Sequence, residues 1–310
     1  MSRKHPIVAI TGSSGAGTTT IKDAFSDIFR REGISAAFVE GDSFRRYDRE
    51  EMKKVLKEAS ESGKQLSHFG PEVNLFDELE TQFRNYAKTG TCRQRNYIKT
   101  DQPEYFRQPP GTFTPWESCA DNTDLLFYEG LHGGVVAEMW TRRKMSPSHN
   151  PYVIKDRRDS VNNKGVDVAK QVDLLIGVVP VVNLEWIQKI HRDTQNNGKS
   201  PALITSSILR RMWDYIHFII PQFSITDINF QRVPVVDTSN PFIARDVPTP
   251  DESILVIRFR EPGKFDFPEL MEKIEGSFMS RPNTMVAPGN RFYLAMKTIC
   301  TPLIHDLFEH

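Results

Sequence analysis

Ile7-Val-Ala-Ile-Thr-Gly12-Ser13-Ser14-Gly15-Ala16-Gly17-Thr18-Thr19-Thr20-Ile21 decides the fold. Ile7 to Thr11 is apolar and β-branched, three glycines follow within six residues, and Ile21, Phe25, Ile28 and Phe29 then recur at helical spacing. The stretch predicts a strand, a tight loop and a helix. Glycines let a backbone curl with its N–H groups pointing inward, and the dipole of the following helix adds partial positive charge at the same point. Such a loop cradles a phosphate chain. Gly12 to Thr20 is therefore expected to hold the phosphates of ATP, with the hydroxyl of Thr19 where Mg²⁺ would bind. Thr18 stands where such loops ordinarily carry lysine.

Outward from this loop the pattern repeats. Ala36 to Glu40 predicts a second strand closed by Gly41-Asp42, Leu125 to Tyr128 a third closed by Glu129-Gly130, and Val172 to Val182 a longer, buried one. Phe76 to Tyr86 has helical periodicity. Alternation of strands with helices gives an α/β fold of the P-loop nucleotide-kinase kind, a largely parallel sheet flanked by helices. Ser253 to Arg260 alternates apolar and polar residues and predicts an added antiparallel or edge strand, half solvated, and Leu294 to Phe308 predicts a terminal helix with Pro302 inside it. The whole of 1–310 reads as one domain. Between 138 and 170 the chain turns polar, with Arg142-Arg143-Lys144, Pro147, Pro151 and Arg157-Arg158, and is expected to be a surface insertion.

Composition narrows the partners. Forty basic residues balance forty acidic ones, so no overall field favours nucleic acid or an anionic membrane. No window approaches roughly 18 consecutive apolar residues, and the start lacks a signal-peptide core. Cys92, Cys119 and Cys300 are odd in number and far apart, without the short spacing of a metal site or disulfide framework, which suits a reducing cytoplasm.

Asp42 and Glu129 each follow a strand and should project from the carboxyl end of the sheet, where open α/β folds bind ligands. Asp42 suits a base that accepts the proton of an attacking hydroxyl, and Glu129 a partner of Mg²⁺. Phosphoryl transfer runs on positioned positive charge, so a loop with Thr18 in place of lysine needs cations from elsewhere. Asn183 to Asp193 predicts a helix with Asn183 as N-cap, and on it Lys189 and Arg192 share a face. Arg45, Arg46 and Arg49 lie close to Asp42 in sequence, and guanidinium groups grip phosphate with paired hydrogen bonds. At least one of the three should be plain surface.

Together, Gly12 to Thr18, Val39-Glu-Gly-Asp-Ser-Phe, Phe127-Tyr-Glu-Gly-Leu-His-Gly, Asn183-Leu-Glu-Trp-Ile-Gln-Lys-Ile-His-Arg-Asp and Arg232 to Arg245 resemble the bacterial phosphoribulokinases. Threonine in the lysine position is shared with that group. The resemblance implies transfer of the ATP γ-phosphate to C1 of ribulose 5-phosphate, with Asp42 as base and Glu129 as the Mg²⁺-linked carboxylate. It also implies Lys189 and Arg192 at the transferring phosphoryl and sugar phosphate, and Arg49 on the sugar. A homo-oligomer, often an octamer, and an NADH-type effector are implied as well. Ala16 occupies the place of the redox cysteine of plant-type enzymes, so thiol control through that loop is not expected.

The chain departs from the family pattern at three places: Arg45 replaces a histidine, Asn197 an arginine and Ala202 a glutamate. Two other readings therefore stand beside ribulose 5-phosphate. One is a kinase for a different pentose phosphate or, like uridine kinase, for a nucleoside; the other is a catalytically weak nucleotide-binding regulator. A neutral nucleoside would have little use for the arginines near Asp42, and a pure binding module needs no base.

Overall fold

The structure, a computed structural model, describes residues 4–12, 18–63, 66–99, 108–136, 166–198, 200–244 and 246–309, with only the backbone of 18–19 and 196–197. Its centre is β1 (Ile7–Gly12), buried from Ile7 to Thr11. The other strands are β2 (Ala36–Glu40), β3 (Arg93–Gln94), β4 (Glu117–Ser118), β5 (Leu125–Gly130), β6 (Leu174–Pro180), β7 (Ile228–Pro234), β8 (Ser253–Phe259), β9 (Phe278–Arg281) and β10 (Thr284–Pro288). One sheet runs β2-β5-β1-β6-β7-β8-β10-β9. Its first five strands are parallel and the rest pair antiparallel.

Sequence explains the split. Every residue of β6, Leu-Leu-Ile-Gly-Val-Val-Pro, is buried, as a strand covered on both faces requires. In β8 burial alternates, Ser253, Leu255, Ile257 and Phe259 facing inward, so that strand is half solvated as expected. It is not an edge, however, because β10 covers its far side.

The helices are α1 (Thr18–Glu32), α2 (Arg49–Glu61), α3 (Phe76–Thr89), α4 (Val182–Asn197), α5 (Pro201–Asp214), α6 (Ile220–Phe223), α7 (Phe267–Lys273) and α8 (Phe292–His305). A π-helical stretch, Tyr215–Ile219, joins α5 to α6. On one face of the sheet, α1 and α8 bury Phe25, Phe29 and Ile299 against Phe127, Phe230 and Phe259. On the other, α3 buries Leu79, Phe83 and Tyr86 against Leu126 and Tyr128. Asp48 caps α2 by accepting from the Glu50 and Glu51 N–H groups at 2.8 Å, while Glu51 accepts from the Asp48 N–H, so the turn before α2 is fixed at both ends. Pro302 lies inside α8 as expected. Val181, not Asn183, is the N-cap of α4, and the Asn183 amide instead donates to the Thr238 carbonyl at 3.0 Å.

Two further differences matter. Cys92 and Cys119 form a disulfide, with Cα atoms 5.3 Å apart, because β3 and β4 pair as a small separate ribbon that brings them side by side. Scattered spacing in sequence hid this contact, and it removes the cysteine argument for a reducing compartment. Of the polar segment 138–170, residues 138–165 lie outside the described ones. Its far end belongs to the packed body: Asp167 bridges to Val136, and Val168 and Ala169 are buried.

Candidate active site

β2 and β5 run in register to a common end, Glu40 opposite Glu129, and then each chain turns at a glycine. Gly41 and Gly130 pass so close that a Cβ on Gly130 would sit 2.8 Å from the Gly41 Cα and 2.6 Å from the Tyr128 hydroxyl. Only residues without a side chain allow this approach. It carries Asp42, in the 3₁₀ turn Gly41–Phe44, beside the end of β5. Burial, reinforced by Glu40 and Asp42 and opposed by Lys99 and Lys22, pushes the Glu129 carboxyl up to about 7. Glu40 escaped the sequence reading, although a carboxylate at the expected strand end was there to be noticed; it pairs with Lys22 at 3.6 Å and Lys99 at 3.7 Å.

Asp42 binds the Arg45 guanidinium at 2.7 Å. The same guanidinium lies over the Tyr97 ring, 4.8 Å from its centroid, and the Arg45 backbone bridges to Asn74. A cavity of about 630 Å³ opens here, lined by Arg45, Arg49, Lys53, His68, Asn74 and Tyr97 among others. Arg46 turns away, its Nε donating to the Glu72 carbonyl at 3.1 Å. Arg46 and Arg49 are both exposed, but of the two only Arg49 lines the cavity. Burial first, and the cations Arg211, Arg45 and Lys189 after it, hold His68 down at about 3, so its ring is neutral.

Lys189 and Arg211 belong to a second group, on α4 and α5. Lys189 donates to Asp193 at 2.6 Å and Arg192 reaches the other oxygen of the same carboxylate at 3.3 Å. Lys189 and Arg192 are thus brought together as their spacing predicts, with Asp193 as hub. Burial lowers the Lys189 pKa while Asp193 raises it, and the first effect wins. Arg211, on α5, is held down at about 10 mainly by burial, and Asp193 is its chief opposing partner. Nothing in the sequence marks Arg211, since an Arg-Arg pair late in an amphipathic helix reads as a solvated face. Glu185 accepts from the Tyr215 hydroxyl at 2.8 Å.

Gly12 ends β1 and Thr20 lies in the first turn of α1, so strand and helix flank the glycine-rich loop as expected. Ser13, Ser14, Gly15, Ala16 and Gly17 fall outside the described residues, as do the side chains of Thr18, Thr19 and Asn197. Ala202 lies exposed in the first turn of α5, whose cap is Ser200.

A family model described as Phosphoribulokinase / Uridine kinase family matches residues 7–146 and 154–239. The chain belongs to this family. Both activities that the family is named for are transfers of phosphate to a hydroxyl, so the chain is a kinase. It is 53% identical over 310 residues to a phosphoribulokinase of Sinorhizobium medicae, covering 100% of this chain and 98% of that one. A phosphoribulokinase of Nitrobacter vulgaris is 53% identical over 311 residues, again covering 100% and 98%. The solved phosphoribulokinase from Rhodobacter spheroides superposes with a TM-score of 0.82 at 49% identity, covering 99% of this chain and 98% of that one. The family fold, a P-loop kinase with a mostly parallel sheet and added antiparallel strands, is that of the sheet described above.

Proposed function

We propose that this kinase transfers the γ-phosphate of ATP to a hydroxyl of ribulose 5-phosphate, giving ribulose 1,5-bisphosphate. The observation that carries the reading is the cavity lined by Arg45 and Arg49, whose Arg45 guanidinium in turn binds Asp42 at 2.7 Å just beyond the end of β2. A base beside two guanidinium groups suits an acceptor that has both a hydroxyl to deprotonate and a phosphate to hold. The likeness in name of the relatives points the same way.

In this reading Gly12 to Thr20 cradle the ATP phosphates. Asp42 accepts the proton of the attacking hydroxyl, and Arg45 and Arg49 orient the sugar phosphate. Lys189 and Arg192 supply the positive charge that Thr18 does not, with Arg192 also near the sugar phosphate. Asp193 supports this assignment by gathering both cations at one carboxylate. As Arg45 turns to the incoming phosphate it leaves Asp42, and the base is freed when the acceptor arrives.

Glu129 and the Thr19 hydroxyl would hold Mg²⁺. The fit rests on charge and donor type: Glu40, Asp42 and Glu129 crowd one strand end, and all are oxygen donors suited to a hard cation. Among the described residues no three acidic, His or Cys groups are disposed to bind a metal, so nucleotide phosphates and water would complete the shell, as is usual for Mg²⁺. The ion would neutralise charge on the transferring phosphoryl.

The remaining features are proposals of the same reading: one kinase domain over 1–310, a homo-oligomer, octameric by resemblance, and an NADH-type effector. No described helix is long and apolar enough to cross a membrane. A cytoplasmic site of action is proposed because ATP is supplied there. The test is ATP consumption with a panel of phosphorylated pentoses and nucleosides, alongside Asp42→Asn. Ribulose 5-phosphate should give the highest kcat/KM, and Asp42→Asn should lower kcat by roughly 10²- to 10⁴-fold with ATP binding retained. Faster turnover of a nucleoside, or no turnover of any acceptor, would replace this reading with one of the other two.

A further inference from the structure

The 3₁₀ turn that carries Asp42 is gripped from outside by the β3–β4 ribbon. Arg95, half-buried just beyond β3, donates from Nε to the Ser43 carbonyl at 2.9 Å and from Nη2 to the Arg45 carbonyl at 2.6 Å. The Ser43 hydroxyl answers by donating to the Arg95 carbonyl. Phe44, between them, packs its ring 5.6 Å from that of Trp116, next to β4. All three residues that follow Asp42 are thus held by one small ribbon.

We propose that Arg95 is a positioning residue for phosphoryl transfer, which fixes the backbone after Asp42 so that its carboxylate stays aimed at the acceptor hydroxyl. The alternative, an arginine that merely fills space between rings, accounts for less. The guanidinium plane does lie on the Phe113 ring at 3.8 Å and near the Trp116 ring at 4.8 Å. Stacking sets the plane, but the edge N–H groups are then aimed at two carbonyls of the turn just after Asp42, and a planar fork is the one side chain that can span both. The ribbon is itself braced, by the Cys92–Cys119 disulfide and by the Cys119 N–H donating to the Cys92 carbonyl at 2.9 Å.

The clamp matters most when acceptor is bound. Before that, the ion pair with Arg45 also holds Asp42. Once Arg45 has turned to a phosphate, that restraint is gone and the turn depends on Arg95. A misplacement of about 1 Å at a reacting group can cost on the order of 10²-fold in rate.

The inference rests on Asp42 as base, so the experiment carries Asp42→Asn as a control. Arg95→Met keeps the stem and ring contact and removes the donors; Arg95→Lys keeps the charge but cannot bridge both carbonyls; Arg95→Ala leaves room for free ethylguanidinium. Folded fraction is read for each by thermal melting, and kcat is expressed per folded molecule, with both KM values. The expected result is a kcat lowered about 10- to 100-fold in Arg95→Met and at least tenfold in Arg95→Lys, the KM for ATP staying within twofold, with partial recovery of kcat in Arg95→Ala on adding millimolar ethylguanidinium. A kcat per folded molecule within threefold of wild type in Arg95→Met or Arg95→Lys overturns the proposal. So does a loss that ethylguanidinium leaves untouched. If Asp42→Asn itself keeps full kcat, the assignment of the base fails first; if it is inactive while Arg95→Met is not, the clamp alone fails.

Discussion

Arg45 has two claims on its guanidinium, and the competition between them is testable. Its pair with Asp42 at 2.7 Å and its place over Tyr97 orient it at the pocket wall, and a sugar phosphate would draw it away. Arg45→Ala should therefore raise the KM for the acceptor by tenfold or more and leave the KM for ATP within twofold, since a bidentate phosphate contact is lost. Arg45→His restores the family residue but, near neutral pH, not the full charge, and should recover only part of the affinity. Saturation curves for each substrate decide it, and an unchanged acceptor KM in Arg45→Ala would remove Arg45 from substrate binding. Lys189 makes the companion case. Lys189→Met should lower kcat by at least 10²-fold, because the phosphate loop has Thr18 where a cation usually stands, and it also leaves Asp193 without its 2.6 Å partner. Wild-type kcat in that variant would move the charge to Arg192 or Arg211.

At the scale of elements, the disulfide is the feature with the largest expected effect on stability. Cys92 and Cys119 are 27 residues apart, and closing a loop of that length stabilises by about 3 to 4 kcal/mol in the chain-entropy account. Reductant should lower the melting temperature of the wild type, and Cys92→Ser should show the lowered value with or without reductant. Equal melting of all samples would mean that the two sulfurs are not joined in solution. The same ribbon shows where a sequence stops being readable. The run from Ile7 to Ile21 announces its strand, loop and helix because apolar period and glycine placement agree there. The ribbon strands are two residues each, Arg-Gln and Glu-Ser, with no period to detect. Arg95 and Arg211 look like surface in a string of letters, since the rings and carboxylates that bury them come from distant segments. β7 went unnoticed for a related reason: Ile-Asn-Phe-Gln-Arg-Val-Pro is too polar for a buried run, and its neighbours in the sheet make it a strand. The placement of Asp42 and Glu129 at strand ends and of Lys189 and Arg192 on one helix was legible because strand ends and helix spacing locate them without long-range knowledge.

Across the whole molecule, stability should depend on pH through buried groups of opposite sign. His132 is fully buried, its Nε2 donating to the Phe69 carbonyl at 3.0 Å, and burial holds it down at about 4, as it holds His68 at about 3. Both rings are neutral in the fold, whereas the unfolded chain takes protons at their ordinary value near 6.5. Their contribution is complete above pH 6.5 and is lost as pH falls towards 4, at about 1.4 kcal/mol per pH unit for each. Glu129 opposes them: with its carboxyl up at about 7 the fold takes its proton first, and gains stability as pH falls from 7 to 4.5. Two groups against one leave a net loss of about 1.4 kcal/mol per unit between pH 6.5 and 4.5. Denaturant midpoints at pH 7, 6 and 5 measure it, and His132→Gln should remove most of the slope. A midpoint that rises towards pH 5 would contradict the burial of both rings.

The position of β1 has a consequence for how the protein is made. This strand leaves the ribosome well before its partners in the sheet, which begin at Leu126 on one side and Leu174 on the other. Until β5 has been synthesised this apolar strand has nothing to pair with, and until β6 follows only one of its sides is paired. Contacts so far apart in sequence are slow to form, and an unpaired apolar strand invites aggregation meanwhile. Nascent chains stalled before residue 174 should therefore remain sensitive to protease and engage chaperones, while chains stalled beyond 234, with β7 in place, should become resistant.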